Sequence, residues 1–579
     1  MEYTIRRRKP AAAATLNELP PDDRLFIQTL IATTDIIIAA GYILLILLVG
    51  LWAGRKTSRG NMPGSANEYF LAGKSLKWPA IGLALFATNI STVHLVSLAQ
   101  SGFDSGLLNG NFEWMAAFTL ILLALFFAPF YIRSGVSTLP DFLEKRYDRA
   151  CRDWLTIISL ASAVIIHIAF SMLAGGIVLK TLFNVDMYTS VIIISLVTGL
   201  YTITGGLKAV VITESIQTVV LVAGALVISY VAYKKIGGWS PMVDVLTRDG
   251  ELQRLSMLRP AGDSSGMPWY AVFLGYPILG IWYWCADQTI VQRVLGAKDL
   301  NHARVGVLFC GFIKILPVFI FVLPGLMAFA LYRTGSLDLS SITSMDGSGN
   351  AVVQSKGIYT LMITQLLPVG LVGVLVAALL SGLMSQISGA LNSISTMISY
   401  DVYKRTRPQA TDRQLVFAGK VSAVIALLFS LLLLPLLNRY ESIFNGLNDI
   451  IAHLAPPITC VFVLGIFWGK ASARSARYTL WIGSALGATV FITNKLLPQN
   501  PAAAIPFMMM AFYLFCICLL MQVLLSFAYP AVHQEGRETY FWKSFYEPLR
   551  IRGWRGIGNY KVLTLALLVS MTLLFYLFR

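Results

Sequence analysis

The chain alternates long apolar runs with short charged segments. A membrane-spanning helix needs ~20 mostly apolar residues. Fourteen stretches meet that pattern: 33–54, 75–103, 112–134, 154–182, 187–203, 209–234, 268–288, 305–333, 356–400, 415–436, 442–469, 475–496, 504–528 and 561–578. None carries the strict alternation of a strand, so helices are expected to satisfy the backbone inside the bilayer. The stretch 356–400 is too long for one crossing and predicts a surface helix leading into a spanning helix near Pro368. Two spans are interrupted. The first, 75–103, contains Ala87-Thr88-Asn89-Ile90-Ser91-Thr92, and the second, 268–288, contains Gly275-Tyr276-Pro277 and Gly280. One interruption alone is an ordinary kink. A pair at matching positions of two five-span blocks points to an inverted repeat with its binding site near the midplane. The expected organisation is a tail and first helix (1–74), a first repeat (75–234), an external loop (235–267), a second repeat (268–470) and three further helices (471–579).

Composition agrees with a membrane protein. Of 579 residues, 56% are hydrophobic and 13% charged, against roughly 25% charged in soluble domains. Mean hydropathy is +0.69. The formal net charge of +16 would suggest nucleic acid in a soluble protein. Here the basic residues gather in loops 55–74, 135–153, 289–304, 401–414 and 529–560, while loops such as 104–111 carry none. The positive-inside rule accounts for that alternation with both termini outside. The basic tail Arg6-Arg7-Arg8-Lys9 runs against it, and no cleavable signal precedes the first span. The six cysteines and five histidines form no metal spacing or catalytic constellation, so no enzyme activity, no catalytic cofactor and no nucleic-acid partner are expected.

Four features stand out within the spans. Residues 381–396, SGLMSQISGALNSIST, place five Ser, one Thr, one Asn and one Gln directly after an apolar run. Lys314 lies deep in a span and Glu113 opens another. Intramembrane charges are expensive and commonly functional. From residue type alone the two fit a packing salt bridge as well as a binding site. His167 and His453 read as satisfied core histidines, and Trp78, Trp154, Trp481 and Trp542 as interfacial anchors. Asn89-Ile90-Ser91 is the only glycosylation sequon, and its place inside the membrane discounts it, which points weakly to a prokaryotic source.

Stretches through nearly the whole chain carry a family resemblance: NEYFLAGKSLKWPAIGLALFATNIS (67–91), NFEW (111–114), TGGLKAVVITESIQ (204–217), WYWCADQTIVQRVLGAKDLNHA (282–303), LNSISTMISYDVYKR (391–405) and HLAPPITCVFVLGIFWGK (453–470). On these the sequence resembles the solute:sodium symporter family, in its sodium/glucose cotransporter branch. The resemblance implies an all-α integral membrane protein with the LeuT-type 5+5 inverted repeat and about fourteen transmembrane helices. It implies secondary active, cation-coupled symport of a sugar by alternating access, in the plasma membrane; the lone intramembrane sequon narrows this to a bacterial inner membrane. The implied sugar pocket is Asn89, His94, Glu113, Lys314 and Asn448, with Tyr283 as an inner gate and Trp284 beside it. A neutral polyol needs donors and acceptors interleaved, which Glu113, Lys314, Asn89, His94 and Asn448 supply. Family sugar carriers generally have Gln where this chain has Asn448.

The hydroxyl ladder is where the family places half of its sodium site. The implied ligands are the carbonyls of Ala87, Ile90 and Gly382, the hydroxyl of Ser385, and position Gln386, where relatives have a second Ser. The Gln386 amide oxygen would coordinate sodium if its stem folds back, or its NH₂ would take the place of the cation. Glu214 stands where sodium-coupled relatives usually have Asp, on the inner path from the site. Ser388, Ser393 and Ser395 read as close-packing residues. Weakened sodium coupling is the leading expectation, with proton coupling, sodium-independent uniport, another small organic solute or a sugar sensor as alternatives.

Overall fold

The computed structural model describes residues 32–58, 65–183, 185–263, 265–345, 351–437, 443–497, 499–531 and 537–579. The basic run Arg6–Lys9 and most of the expected tail lie outside the described residues. The helices that frame the molecule include α1 (Thr33–Ser58), α2 (Trp78–Asn89), α3 (Thr92–Ser105), α4 (Asn111–Leu122), α5 (Arg149–Ser162), α6 (Met187–Ile236), α7 (Trp269–Ile281), α8 (Gln288–Leu295), α9 (Leu300–Ile313), α10 (Leu371–Met397), α11 (Asp412–Leu437), α12 (Ile443–Phe467), α13 (Ala473–Leu496), α14 (Phe507–Ala528) and α15 (Tyr560–Leu577). Each predicted stretch overlaps helix. Ten helices, among the described residues, are long and apolar enough by themselves to cross a membrane. Two of the ten each take in two expected stretches, 268–288 is broken, and 475–496 forms one continuous helix that is not among the ten. α6 holds two expected spans and turns at Gly206, whose φ of 64° and ψ of −165° leave the helical region. A separate short helix, Ile358–Leu366, precedes α10 as expected, but it is no surface helix: seven of its nine residues are buried. One short antiparallel pairing, Thr343–Met345 with Ala351–Val353, had no alternating signal in the sequence.

α10 is the central post. Every residue from Leu375 to Met397 is buried, and α6 packs along most of its length. Its N-terminus is held by α1, where Asp35 Oδ1 accepts from the N–H groups of Gly370 and Gly373 at 2.8 and 2.7 Å. The outer helices show the opposite pattern. Ile37 and Trp52 on α1, Phe417 and Leu432 on α11, and Val569 and Leu573 on α15 are exposed. An apolar exterior around a core that holds the polar groups suits lipid as the surrounding solvent.

The first interruption falls where it was expected. α2 ends at Asn89, Ile90 (φ −82°, ψ 108°) and Ser91 are extended, and α3 begins at Thr92. The second does not. Gly275, Pro277 and Gly280 lie inside helix, and the break comes at Asp287 (φ −87°, ψ 123°), between a π-helical turn at Trp282–Ala286 and α8. Packing explains those glycines. A Cβ on Gly275 would sit 2.3 Å from the carbonyl oxygen of Met508, and one on Gly280 would sit 2.7 Å from Thr119. They admit close neighbours instead of opening the helix.

Three charge assignments also change. Arg146, Arg293 and Arg304, counted with the basic loops, are fully buried. Arg146 closes the end of α12 by donating to the carbonyls of Gly465 (2.6 Å) and Trp468 (3.0 Å), so it serves helix capping. Of the expected interfacial tryptophans, Trp481 is exposed, but Trp154 and Trp542 are buried. Trp542 Nε1 donates to the Phe126 carbonyl at 3.1 Å.

Arg293 on α8 pairs with Glu214 on α6, and both side chains are fully buried. Removing one partner of such a pair typically costs ~3–5 kcal/mol, because the other charge is left uncompensated. Arg293→Met is expected to lower the thermal stability of the detergent-solubilised protein sharply, and Arg293→Met with Glu214→Gln to recover much of the loss. Equal stability of the single variant and wild type would refute the pair's role.

Candidate functional site

Breaking a helix leaves its last carbonyls and the next helix's first N–H groups without ladder partners. Around the first break, side chains take them up. Ser385 Oγ on α10 donates to the Ala87 carbonyl at 2.8 Å and lies 3.2 Å from the Gly382 carbonyl. Thr92 Oγ1 donates to the Leu379 carbonyl at 2.8 Å. A Cβ on Gly382 would come within 3.0 Å of the Ser91 and Thr92 backbone, so this glycine lets α10 press on the break. Ser91 and His94 form a reciprocal cap at the start of α3: the Ser91 hydroxyl accepts from the N–H of His94, and His94 Nδ1 accepts from the N–H of Ser91 at 3.3 Å. In a neutral imidazole an accepting Nδ1 puts the proton on Nε2. At the second break the Asp287 side chain caps α8, accepting from the N–H groups of Thr289 (2.7 Å) and Ile290 (3.3 Å).

Between the breaks lies a cavity walled mainly by apolar and aromatic side chains with a few polar ones, the usual make-up of a small-molecule site. Asn89, His94, Glu113, Tyr283, Trp284 and Asn448 line it, six of the seven residues expected for the solute. Lys314 does not line it. It lies behind the wall, ion-paired with Glu113, donating to Asn89 Oδ1 at 2.5 Å, with its ammonium 5.6 Å from the Trp284 ring centre. Lys314 therefore positions the wall. With Asn89 Oδ1 occupied, the Asn89 NH₂ is left as a donor, and the Glu113 carboxylate keeps acceptor capacity.

Of the expected cation ligands, Ala87, Gly382 and Ser385 converge, and the extended backbone of Ile90 takes its carbonyl out of the helix ladder. Gln386 goes elsewhere. Its Nε2 hydrogen-bonds His167 Nδ1 at 2.8 Å, and both residues line the cavity. His167 is thus no isolated core histidine: its Nε2 lies 3.0 Å from Asp287 Oδ2. Glu214 is tied to Arg293 and accepts from Thr88 Oγ1 at 3.1 Å, so its charge is already matched beside the break. His453 Nδ1 lies 2.8 Å from the carbonyl of Asp449 in its own helix. Of the ladder, Ser388 donates to the Ser385 carbonyl at 3.0 Å, while Ser393 and Ser395 have no hydroxyl partner among the described residues.

Sequence reasoning missed His167, Ser91, Ser171, Phe112, Tyr276 and Trp282 in the cavity wall. Ser91 lay within the flagged interruption. His167 carried no local signal, because its partners Asp287 and Gln386 are distant in sequence. It sits in a π-helical turn, Ala163–Ala169, as Tyr283 and Trp284 do in Trp282–Ala286. Such turns recur at functional sites.

Two interrupted helices meeting at a buried cavity define a secondary transporter. The fold matches that of a Na⁺-coupled sialic acid symporter solved in a substrate-bound outward-open state, with a TM-score of 0.73 and 22% identity over 87% of this chain and all of that one; it is the LeuT-type fold. The sodium:solute symporter family model matches residues 69–483. The chain is 32% identical to Sodium/glucose cotransporter 1 of Sus scrofa over 505 residues, 84% of this chain and 75% of the relative. It is 35% identical to Sodium/glucose cotransporter 2 of Rattus norvegicus over 476 residues (78% and 70%), and 34% identical to a sodium/mannose cotransporter of Bos taurus over 486 residues (81% of each). The chain belongs to the sodium:solute symporter family. It is a multi-pass membrane transporter, not an enzyme.

Proposed function

We propose that the protein is a sodium-coupled sugar symporter working by alternating access. The cavity wall carries the reading. Lys314 holds Glu113 and Asn89 side by side as acceptor and donor, and His94 adds a donor at Nε2. Asn448 supplies an amide, and Tyr283 and Trp284 supply aromatic faces. A sugar hydroxyl both donates and accepts, so this mixed wall suits a neutral polyol. A carboxylate in the wall disfavours an anion. The named relatives carry glucose or mannose with sodium.

For sodium, the Ala87 and Gly382 carbonyls, the Ser385 hydroxyl and the Ile90 carbonyl are the oxygen donors to be expected of a hard cation. The boundaries 75–234 and 268–470 are retained for the two repeats, now with their breaks at Ile90–Ser91 and Asp287, and both termini are placed outside. The membrane is proposed to be the plasma membrane. Its assignment as a bacterial inner membrane rests on the buried sequon at Asn89, whose side chain is engaged by Lys314.

Uptake of radiolabelled glucose, galactose and mannose into proteoliposomes tests the function. Accumulation driven by an inward sodium gradient and abolished by choline replacement is expected. Equal uptake without sodium would overturn the coupling, and uptake of no sugar would overturn the substrate class.

The wall itself gives a further prediction. Glu113→Gln and Lys314→Ala each remove a charge-assisted hydrogen bond worth ~1.5–3 kcal/mol, so sugar affinity should fall at least about tenfold. Lys314→Ala should match Glu113→Gln although it never touches the sugar. Size-exclusion profiles report folding, and wild-type affinity in both folded variants would remove the pair from the site.

A further inference from the structure

We propose that Gln386 belongs to the solute cavity: its amide oxygen accepts a hydrogen bond from a substrate hydroxyl, aimed there by an Asp287–His167–Gln386 chain. The inference rests on the sugar reading above and goes past it, because the resemblance places this position in the cation site.

The chain begins at the second helix break. Asp287 Oδ1 caps α8, which leaves Oδ2 facing His167 Nε2 at 3.0 Å. A carboxylate oxygen only accepts, so the imidazole must present a proton at Nε2. In a neutral ring Nδ1 is then a lone pair. Gln386 meets that lone pair at 2.8 Å, and only the NH₂ end of its amide can do so. The orientation of the amide is therefore set by Asp287, two residues upstream in the relay. Its other end, Oε1, is buried and has no partner among the described residues. Gln386 is 5% exposed and lines the cavity beside His167 and Tyr283.

The cation carbonyls do not claim this oxygen. Ser385, one residue earlier, turns its hydroxyl to Ala87 and Gly382. Successive residues of a helix point roughly 100° apart, and the Gln386 hydrogen bond runs to the His167 turn instead. An acceptor aimed by a fixed relay complements the Asn89 and His94 donors elsewhere in the wall, so one hydroxyl of the substrate is read by its ability to donate.

The test is binding of glucose and its monodeoxy analogues to the purified full-length protein at saturating sodium, in wild type, Gln386→Met and Gln386→Ser. Wild type should lose ~10-fold or more in affinity for one deoxy position. Both variants should bind the parent sugar about tenfold more weakly and be indifferent to that position, while discriminating the others as before. Two variants guard against one failing to fold. An unchanged deoxy profile with only the sodium dependence shifted would make Gln386 a cation ligand and overturn the inference alone. Wild type binding none of the panel would overturn the sugar reading and this inference with it.

Discussion

Within a bilayer, a helix may break only where other groups of the protein take up the freed backbone polar atoms. Both breaks here obey that constraint, and most of the site follows from it. At Ile90–Ser91, the freed carbonyl of Ala87 finds Ser385, and the freed N–H groups find Ser91 and His94. At Asp287, a carboxylate caps the second half-helix. Each solution needs a polar side chain at a fixed depth in an apolar surround. Ser385, one rung of the α10 hydroxyl ladder, therefore completes the first break, on a helix whose residues from Leu375 to Met397 are all buried.

The charged residues follow the same logic one step further out. Lys314 would be costly alone in this interior; paired with Glu113 and bonded to Asn89 it is tolerated. Arg293 and Glu214 do the same on the other side of the break and reach Thr88. The two pairs flank α2 near its end, one toward the cavity and one away from it. Their geometries assign different tasks. The first leaves donor and acceptor capacity turned to the cavity. In the second, Glu214 is bound by two guanidinium nitrogens, which spends its capacity inside the protein. Glu214 thus acts here as an arm to an arginine.

What the sequence made legible divides by range. Apolar run length marked the helices, and Asn89, Glu113 and Lys314 were found because polar types stand out against such runs. The first break was legible because Thr-Asn-Ile-Ser-Thr packs several backbone-competing side chains into five residues. The second was misplaced because glycine and proline outweighed the aspartate that caps α8. In a crowded interior, Gly275 and Gly280 answer to neighbouring helices, Met508 and Thr119, that no local window contains. Arg146, Arg293 and Arg304 were read as loop charges for the same reason: the carbonyls and carboxylates that receive them are far away in sequence.

His167 shows where that limit bears on function. On its own helix it is an imidazole in an apolar run, and a core reading is reasonable. Its meaning comes from two partners, one 120 residues downstream at Asp287 and one 219 downstream at Gln386. The π-helical turn that carries it shifts the facing of the helix locally, so even regular helical spacing would not have placed it on the cavity. Gln386 in turn looked anomalous only as a cation ligand. Set against His167, its longer side chain has the reach that a serine lacks, and an amide offers a donor to the histidine and an acceptor to the cavity at once. The departure at one position and the unremarkable histidine at another are two ends of a single hydrogen bond, which ties the second helix break to the wall of the solute site.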